Sequence, residues 1–206
     1  METFLSAVIN GCHSNLAHIY RYSGTMLVRR ENLAEHSYYV ALIADMLATD
    51  ISAKFPETAL DREKILRYAL LHDFEEAVTG DIVTTPKYAS KAFRKALEEV
   101  GNKILTKTVE KEFAEHPEIA ERLLGSRSEY EEGKYEVPEC RVVKFADMLQ
   151  ALSYSVSEFR CGNSVFESVC VRIAKDMGAK FGEDSMLAEY VPSADFLESL
   201  PKKTEE

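Results

Sequence analysis

Two histidines and a run of acids are the residues of this chain best suited to do chemistry. His36 heads an apolar stripe, His36, Val40, Ile43 and Leu47, at helical spacing. Its imidazole is therefore expected to face a core, near the start of its helix. A second helical stretch closes its apolar run Tyr-Ala-Leu-Leu with His72 and Asp73, followed by Glu75 and Glu76. At about 100° per residue, His72, Asp73 and Glu76 share one arc of roughly 100° with Ile65 and Ala69. An imidazole and two carboxylates then project from the side that should be buried. Unpaired burial of such groups costs several kcal/mol, so a partner is required. One partner is a salt-bridge network with Arg or Lys. The other is a divalent metal ion, which binds imidazole and carboxylate and neutralises them. Asp147, in the apolar segment 142–152, lies near the polar edge of its helix. Periodicity leaves it open to the metal or to pairing with a nearby base. Glu75 reads as a solvated helix acid, and His13, His18 and His116 as surface or packing residues.

The elements that must position these groups read as helices throughout. Residues 4–20 are predicted helical. Asn32 and Glu35 have capping-box spacing ahead of the His36 stripe. Residues 54–60, with Pro56, connect to a helix predicted over 61–79, which Gly80 ends. The loop after Gly80 contains Pro86, which blocks simple helix continuation. Further helices are predicted over 90–115, from Pro117 to Gly125, from Pro138 to 160, and from a cap at Asn163 to about Gly182. Residues 126–138 read as a surface loop. With no alternating strand pattern, the expected fold is all-α, one domain over 1–206.

Composition narrows the function. The 206 residues carry 25 Lys and Arg against 35 Asp and Glu, a net charge of −10, and no Trp. Residues 98–136 hold eleven acids and six bases, half of that excess. An acidic chain of this kind is not expected to bind nucleic-acid polymers or anionic membranes. Any anion must be met by a few local cations. No apolar run approaches the roughly 18 residues of a membrane span, and the start lacks a basic, apolar leader. Four cysteines without a CxxC pair fit free thiols in a reducing cytoplasm.

The segments AEHS with His36, LLHDFEEAVTGD with His72 and Asp73, and KFADML with Asp147 resemble the H…HD…D signature of HD-domain metal-dependent phosphohydrolases. RYSGTMLVRRENLAEHS, HDFEEAVTGDIVTTPKY and VVKFADMLQALSY extend the likeness to the 5′-deoxynucleotidase, YfbR-like branch over about residues 16–165. This resemblance implies a single HD-domain helical bundle, with helices of 163–200 packed on its core. It implies His36, His72, Asp73 and Asp147 as ligands of one divalent ion, Co, Mn, Zn or Fe. Glu76 would position or deprotonate the attacking water or protonate the leaving oxygen, and Arg21 would hold the phosphate. Lys87 would be a second phosphate contact, and Asp81 would accept the sugar 3′-hydroxyl. Where the branch has a Trp beside that arginine, crowding the ribose 2′ position, this chain has Tyr22. The implied reaction is hydrolysis of deoxynucleoside 5′-monophosphates to deoxynucleoside and phosphate, by a homodimer. Two alternatives are a dNTP triphosphohydrolase with the same ligands, and a non-catalytic HD module that senses nucleotide or metal.

Overall fold

The apolar periodicity of the chain is realised as helices in the structure, a computed structural model that describes residues 2–82, 90–193 and 195–196. The elements are α1 (Glu2–Asn10), α2 (Leu33–Lys54), α3 (Arg62–Leu71), α4 (Glu76–Thr79), α5 (Lys91–Glu112), α6 (Pro117–Gly133), α7 (Pro138–Arg160) and α8 (Val165–Phe181), with short 3₁₀ turns at Cys12–Ala17 and Ala188–Tyr190. Among the described residues the only pairing of extended backbone is an isolated antiparallel bridge between Tyr20 and Asn32. The all-α expectation holds. No helix of the described residues is long and apolar enough to cross a membrane.

Two compact units are distinguishable. One comprises the described residues of 1–26, 30–38 and 70–132, the other those of 27–29, 39–69 and 133–206. The first closes around Leu16, Leu33, Leu71, Phe74, Leu105, Val109 and Phe113, all buried. Within it, α4 packs on the 3₁₀ turn and on α5. The Asn15 side chain donates to the Ala77 carbonyl at 3.0 Å, which fixes that packing. In the second unit α7 packs along α8. Phe145 meets the Phe181 ring edge-on at 5.2 Å, and Tyr154 meets Phe166 at 6.0 Å. Interlocked aromatic edges of this kind add to the area that they bury.

Local signals account for most boundaries. The Asn32 side chain accepts from the Glu35 amide at 2.9 Å, and Glu35 accepts from the Asn32 amide at 3.2 Å, a reciprocal cap on α2. Ser90 caps α5 through the Phe93 amide. Gly80 ends α4 at φ 74°, ψ 165°, a backbone conformation open essentially to glycine alone.

The structure departs from the sequence expectation at four places. The helix expected over 4–20 divides at Gly11, whose backbone is extended. The helix expected over 61–79 stops at Leu71, and a turn separates it from α4. The helix after Pro117 does not stop at Gly125 but runs to Gly133. Much of the expected loop is thus helical, and it buries Ser126, Arg127 and Tyr130. The charged letters of that segment concealed a stripe Ala120, Leu123, Leu124, Arg127 and Tyr130 at helical spacing. Finally, Asn163 does not cap the last long helix through its side chain; its amide donates to Glu158 at 2.8 Å, and α8 begins at Val165.

Candidate metal and hydrolytic site

The head of α2 and the 72–75 turn bring three side chains of the first unit together. His36 is fully buried, His72 nearly so, and the Asp73 side chain is 28% exposed. The His36 and His72 Nε2 atoms stand 3.1 Å apart, and Asp73 Oδ2 is 3.5 Å from the first and 3.1 Å from the second. Among the described residues these three form the group of His and acid side chains close enough to hold one ion. An ion about 2.1 Å from each donor holds neighbouring donors roughly 3.0–3.4 Å apart at octahedral to tetrahedral angles. The observed triangle fits that spacing, with two imidazoles and one carboxylate of the kind that borderline divalent metals accept. Of the three, Asp73 is the side chain that solvent reaches most.

Glu76, Arg21, Tyr22 and Asp81, which the sequence also singled out, belong to the same unit. Glu76, at the start of α4, is buried. The bridge between Tyr20 and Asn32 is extended by the Arg21 amide on the Glu31 carbonyl and the Leu33 amide on the Ile19 carbonyl, both at 3.0 Å. This short pairing lays Arg21 beside the head of α2. Its Nη1 donates to the buried Glu31 carboxylate at 3.1 Å and to His36 Nδ1 at 2.6 Å. A guanidinium only donates, so Nδ1 is the acceptor here. Arg21 also lies over the Tyr22 ring, 5.5 Å from its centroid, in cation–π range. Tyr22 has φ +56°, left-handed backbone that a bulky residue rarely adopts. Its amide donates to Asp81 Oδ2 at 3.1 Å, so the Tyr22 turn and the acid behind Gly80 are held together.

Asp147 lies on α7 in the second unit, where Lys144 donates to its carboxylate at 2.6 Å. Lys87 falls outside the described residues. The sequence reading missed four residues here. Glu31 anchors Arg21. Glu75, read as a solvated acid, pairs instead with the buried Arg127 guanidinium, which also donates to Asn102 Oδ1 at 2.6 Å. Burial pulls the pKa of Arg127 down from its ordinary value, opposed by the negative charges of Glu131 and Asp73. Tyr130, one turn along α6, sets its ring edge-on to His72, with centroids 6.3 Å apart.

The family model for the YfbR-like 5′-deoxynucleotidases matches residues 10–202. The chain belongs to this family. Among relatives of the YfbR-like chain, a 5′-deoxynucleotidase of Citrobacter koseri is 33% identical over 171 residues, covering 81% of each chain. The 5′-deoxynucleotidase YfbR of Salmonella typhi is 31% identical over 171 residues, again with 81% of each covered. Membership makes the YfbR-like protein a hydrolase. Its fold is shared with an HD-domain phosphohydrolase from Listeria innocua, at TM-score 0.68 and 24% identity over 91% of this chain and 90% of the other. A cyanophage S-2L HD phosphohydrolase, solved with dA and one catalytic Zn²⁺, aligns at TM-score 0.55 and 20% identity over 88% and 91% of the two chains.

Proposed function

We propose that this protein is a metal-dependent 5′-nucleotidase that converts deoxynucleoside 5′-monophosphates to deoxynucleosides and orthophosphate. The observation that carries the reading is the convergence of His36 Nε2, His72 Nε2 and Asp73 Oδ2 at 3.1–3.5 Å, with Glu76 buried close by in sequence. The names of the relatives favour the substrate class. His36, His72 and Asp73 would hold the ion, and the family pattern assigns Asp147 as a fourth ligand. That role requires the Asp147 carboxylate to give up or share its bond to Lys144. An ion held there would supply Lewis acidity and acidify a water toward neutral pKa.

The protein's own groups do the rest. Glu76 takes a proton from the attacking water or returns one to the leaving 5′-oxygen. Were His36 to hold the ion through Nε2, its ring proton would sit on Nδ1, where Arg21 could not donate. Arg21 would then leave His36, keep its tether to Glu31, and present its planar fork to the phosphate. Lys87 is a second phosphate contact. Asp81 accepts from the sugar 3′-hydroxyl, and Tyr22 packs at the 2′ side with a hydroxyl where the branch has a Trp. The metal is Co, Mn, Zn or Fe.

We further read residues 1–206 as a single HD domain, supported by the family match over 10–202. The chain is expected to work as a homodimer, tested by sedimentation at micromolar concentration; a monomeric mass contradicts it. The free thiols of Cys12, Cys140, Cys161 and Cys170 support action in the cytoplasm. A product-resolved screen tests the central reading. Metal-reconstituted protein is incubated with deoxynucleoside monophosphates, ribonucleoside monophosphates and dNTPs, and orthophosphate and triphosphate are measured separately. Orthophosphate from the deoxynucleoside monophosphates is expected. Triphosphate from dNTPs alone replaces the reading with a triphosphohydrolase. Binding of metal or nucleotide without any turnover replaces it with a sensor.

A further inference from the structure

The turn that carries His72, Asp73 and Glu76 is wound more tightly than an α-helix. Phe74 N–H bonds to the Leu71 carbonyl at 3.1 Å, Glu76 to Asp73 at 3.0 Å, Ala77 to Phe74 at 3.2 Å and Val78 to Glu75 at 3.0 Å. Each of these bonds spans three residues, the 3₁₀ pattern, in which side chains at i and i+3 eclipse. The α winding begins only with the Thr79 amide on the Glu75 carbonyl at 3.2 Å and the Gly80 amide on the Glu76 carbonyl at 2.8 Å. Asp73 therefore stands in line with Glu76, and His72 in line with Glu75. Residues three and four apart on an α-helix share a face. Arg127 and Tyr130 of α6 use that spacing to meet the second pair, Arg127 on Glu75 and Tyr130 on His72. Arg127 is buried, and its Nε has no hydrogen-bond partner among the described residues. The Glu75 carboxylate and the Asn102 amide oxygen bond the guanidinium directly, and the charges of Glu131 and Asp73 add to the compensation of that burial.

We infer that Arg127 is a positioning residue for hydrolysis: through Glu75 it holds the turn in 3₁₀ register and so sets where Glu76 stands relative to Asp73. Relaxation of three residues from 3₁₀ to α geometry turns Glu76 by about 60° about the axis and shifts it by roughly 1.5 Å. Displacements near 1 Å at a reacting centre can cost about 100-fold in rate. This inference rests on the hydrolytic reading of the site.

The test uses Arg127→Lys, which keeps the charge and loses the planar fork. The wild type and the variant are reconstituted with Co²⁺ and assayed with the deoxynucleoside monophosphate that the wild type hydrolyses fastest. The expected result is a kcat lower by about ten-fold or more, with KM within about two-fold. One Co²⁺ per chain remains bound, its visible absorption band changes, and thermal unfolding stays cooperative. Should Arg127→Lys not fold, the double variant Glu75→Gln with Arg127→Gln, which exchanges the ion pair for two amides, is judged by the same readings. A wild-type kcat, or a loss confined to KM, overturns the inference. If the wild type binds Co²⁺ but hydrolyses nothing, the hydrolytic reading fails. The Co²⁺ band then decides on Arg127: a change upholds its hold on the turn, and an unchanged band overturns it.

Discussion

On the proposed reading Glu76 is the residue on which the chemistry turns. It is buried three residues past Asp73, so it is no solvated helix acid. A general acid or base contributes about 10²–10⁴-fold to a rate. Glu76→Ala is therefore expected to lower kcat by that order while a calorimetric titration still finds one Co²⁺ per chain. An unchanged kcat removes Glu76 from the mechanism. His72→Ala behaves differently, because it deletes one corner of the donor triangle: metal binding itself is lost. Tyr22 marks a strained position at the same site, with its left-handed backbone latched to Asp81 through the amide. Strain of this kind persists where surrounding contacts over-determine it.

At the scale of elements, caps and breaks place the reacting groups. The Asn32–Glu35 cap fixes the first turn of α2, from which His36 projects. Asn32→Ala is expected to destabilise the fold by about 1 kcal/mol, read as a shift of the urea midpoint. Gly80→Ala is expected to cost about 1–3 kcal/mol, since its backbone suits glycine alone. A β-carbon there would meet nothing within 4 Å, so strain and not crowding sets the penalty. A midpoint equal to the wild type contradicts either statement.

These same elements show what the sequence could disclose. The α2 cap, the Gly80 stop and the inward face of His36 were all legible, because each depends on residues within one or two turns. The break at Leu71 was not. Its residues keep helical letters through Thr79, and the tight turn is braced by Arg127 and Tyr130, some fifty residues away. Nor was α6 beyond Gly125 legible, since charges outweighed its apolar stripe. His36, His72 and Asp73 stand out because ionisable groups on core-facing stripes demand a partner, but only the resemblance to the H…HD…D signature made that partner a metal ion. Asp147 could not be placed by periodicity, and the structure gives it Lys144 as a neighbour.

For the molecule as a whole, a net charge of −10 and a small anionic substrate pull against each other. On the proposed reading local cations resolve the conflict: a bound ion and Arg21 would reverse the field where the phosphate sits, which net charge does not predict. The acid balance also shapes stability. Burial pushes the Glu158 carboxyl up, but the Val28 amide, the Asn163 side chain and the Arg29 amide hold it below its ordinary range. Burial likewise opposes, and the Arg141 guanidinium with the Met186 and Leu187 amides outweighs, so that Asp184 is also lowered. A carboxyl lowered by folding stabilises the protein above its unfolded pKa, about 4, and that stability drains away as pH falls through the folded value. The urea midpoint is expected to hold between about pH 5 and 7 on this account and to decline below about pH 4. Glu158→Gln should flatten that acid limb; a limb as steep as the wild type's contradicts the assignment.

The central claim is that His36, His72 and Asp73 hold a divalent ion on which phosphate-ester hydrolysis depends. Its most direct test is orthophosphate release from deoxynucleoside monophosphates by chelator-stripped protein during a stepwise titration with Co²⁺. No release without metal is expected, then a rise that saturates at one ion per chain, and no rise in His72→Ala. Release that persists at full rate in the stripped protein, or that survives in His72→Ala, contradicts it.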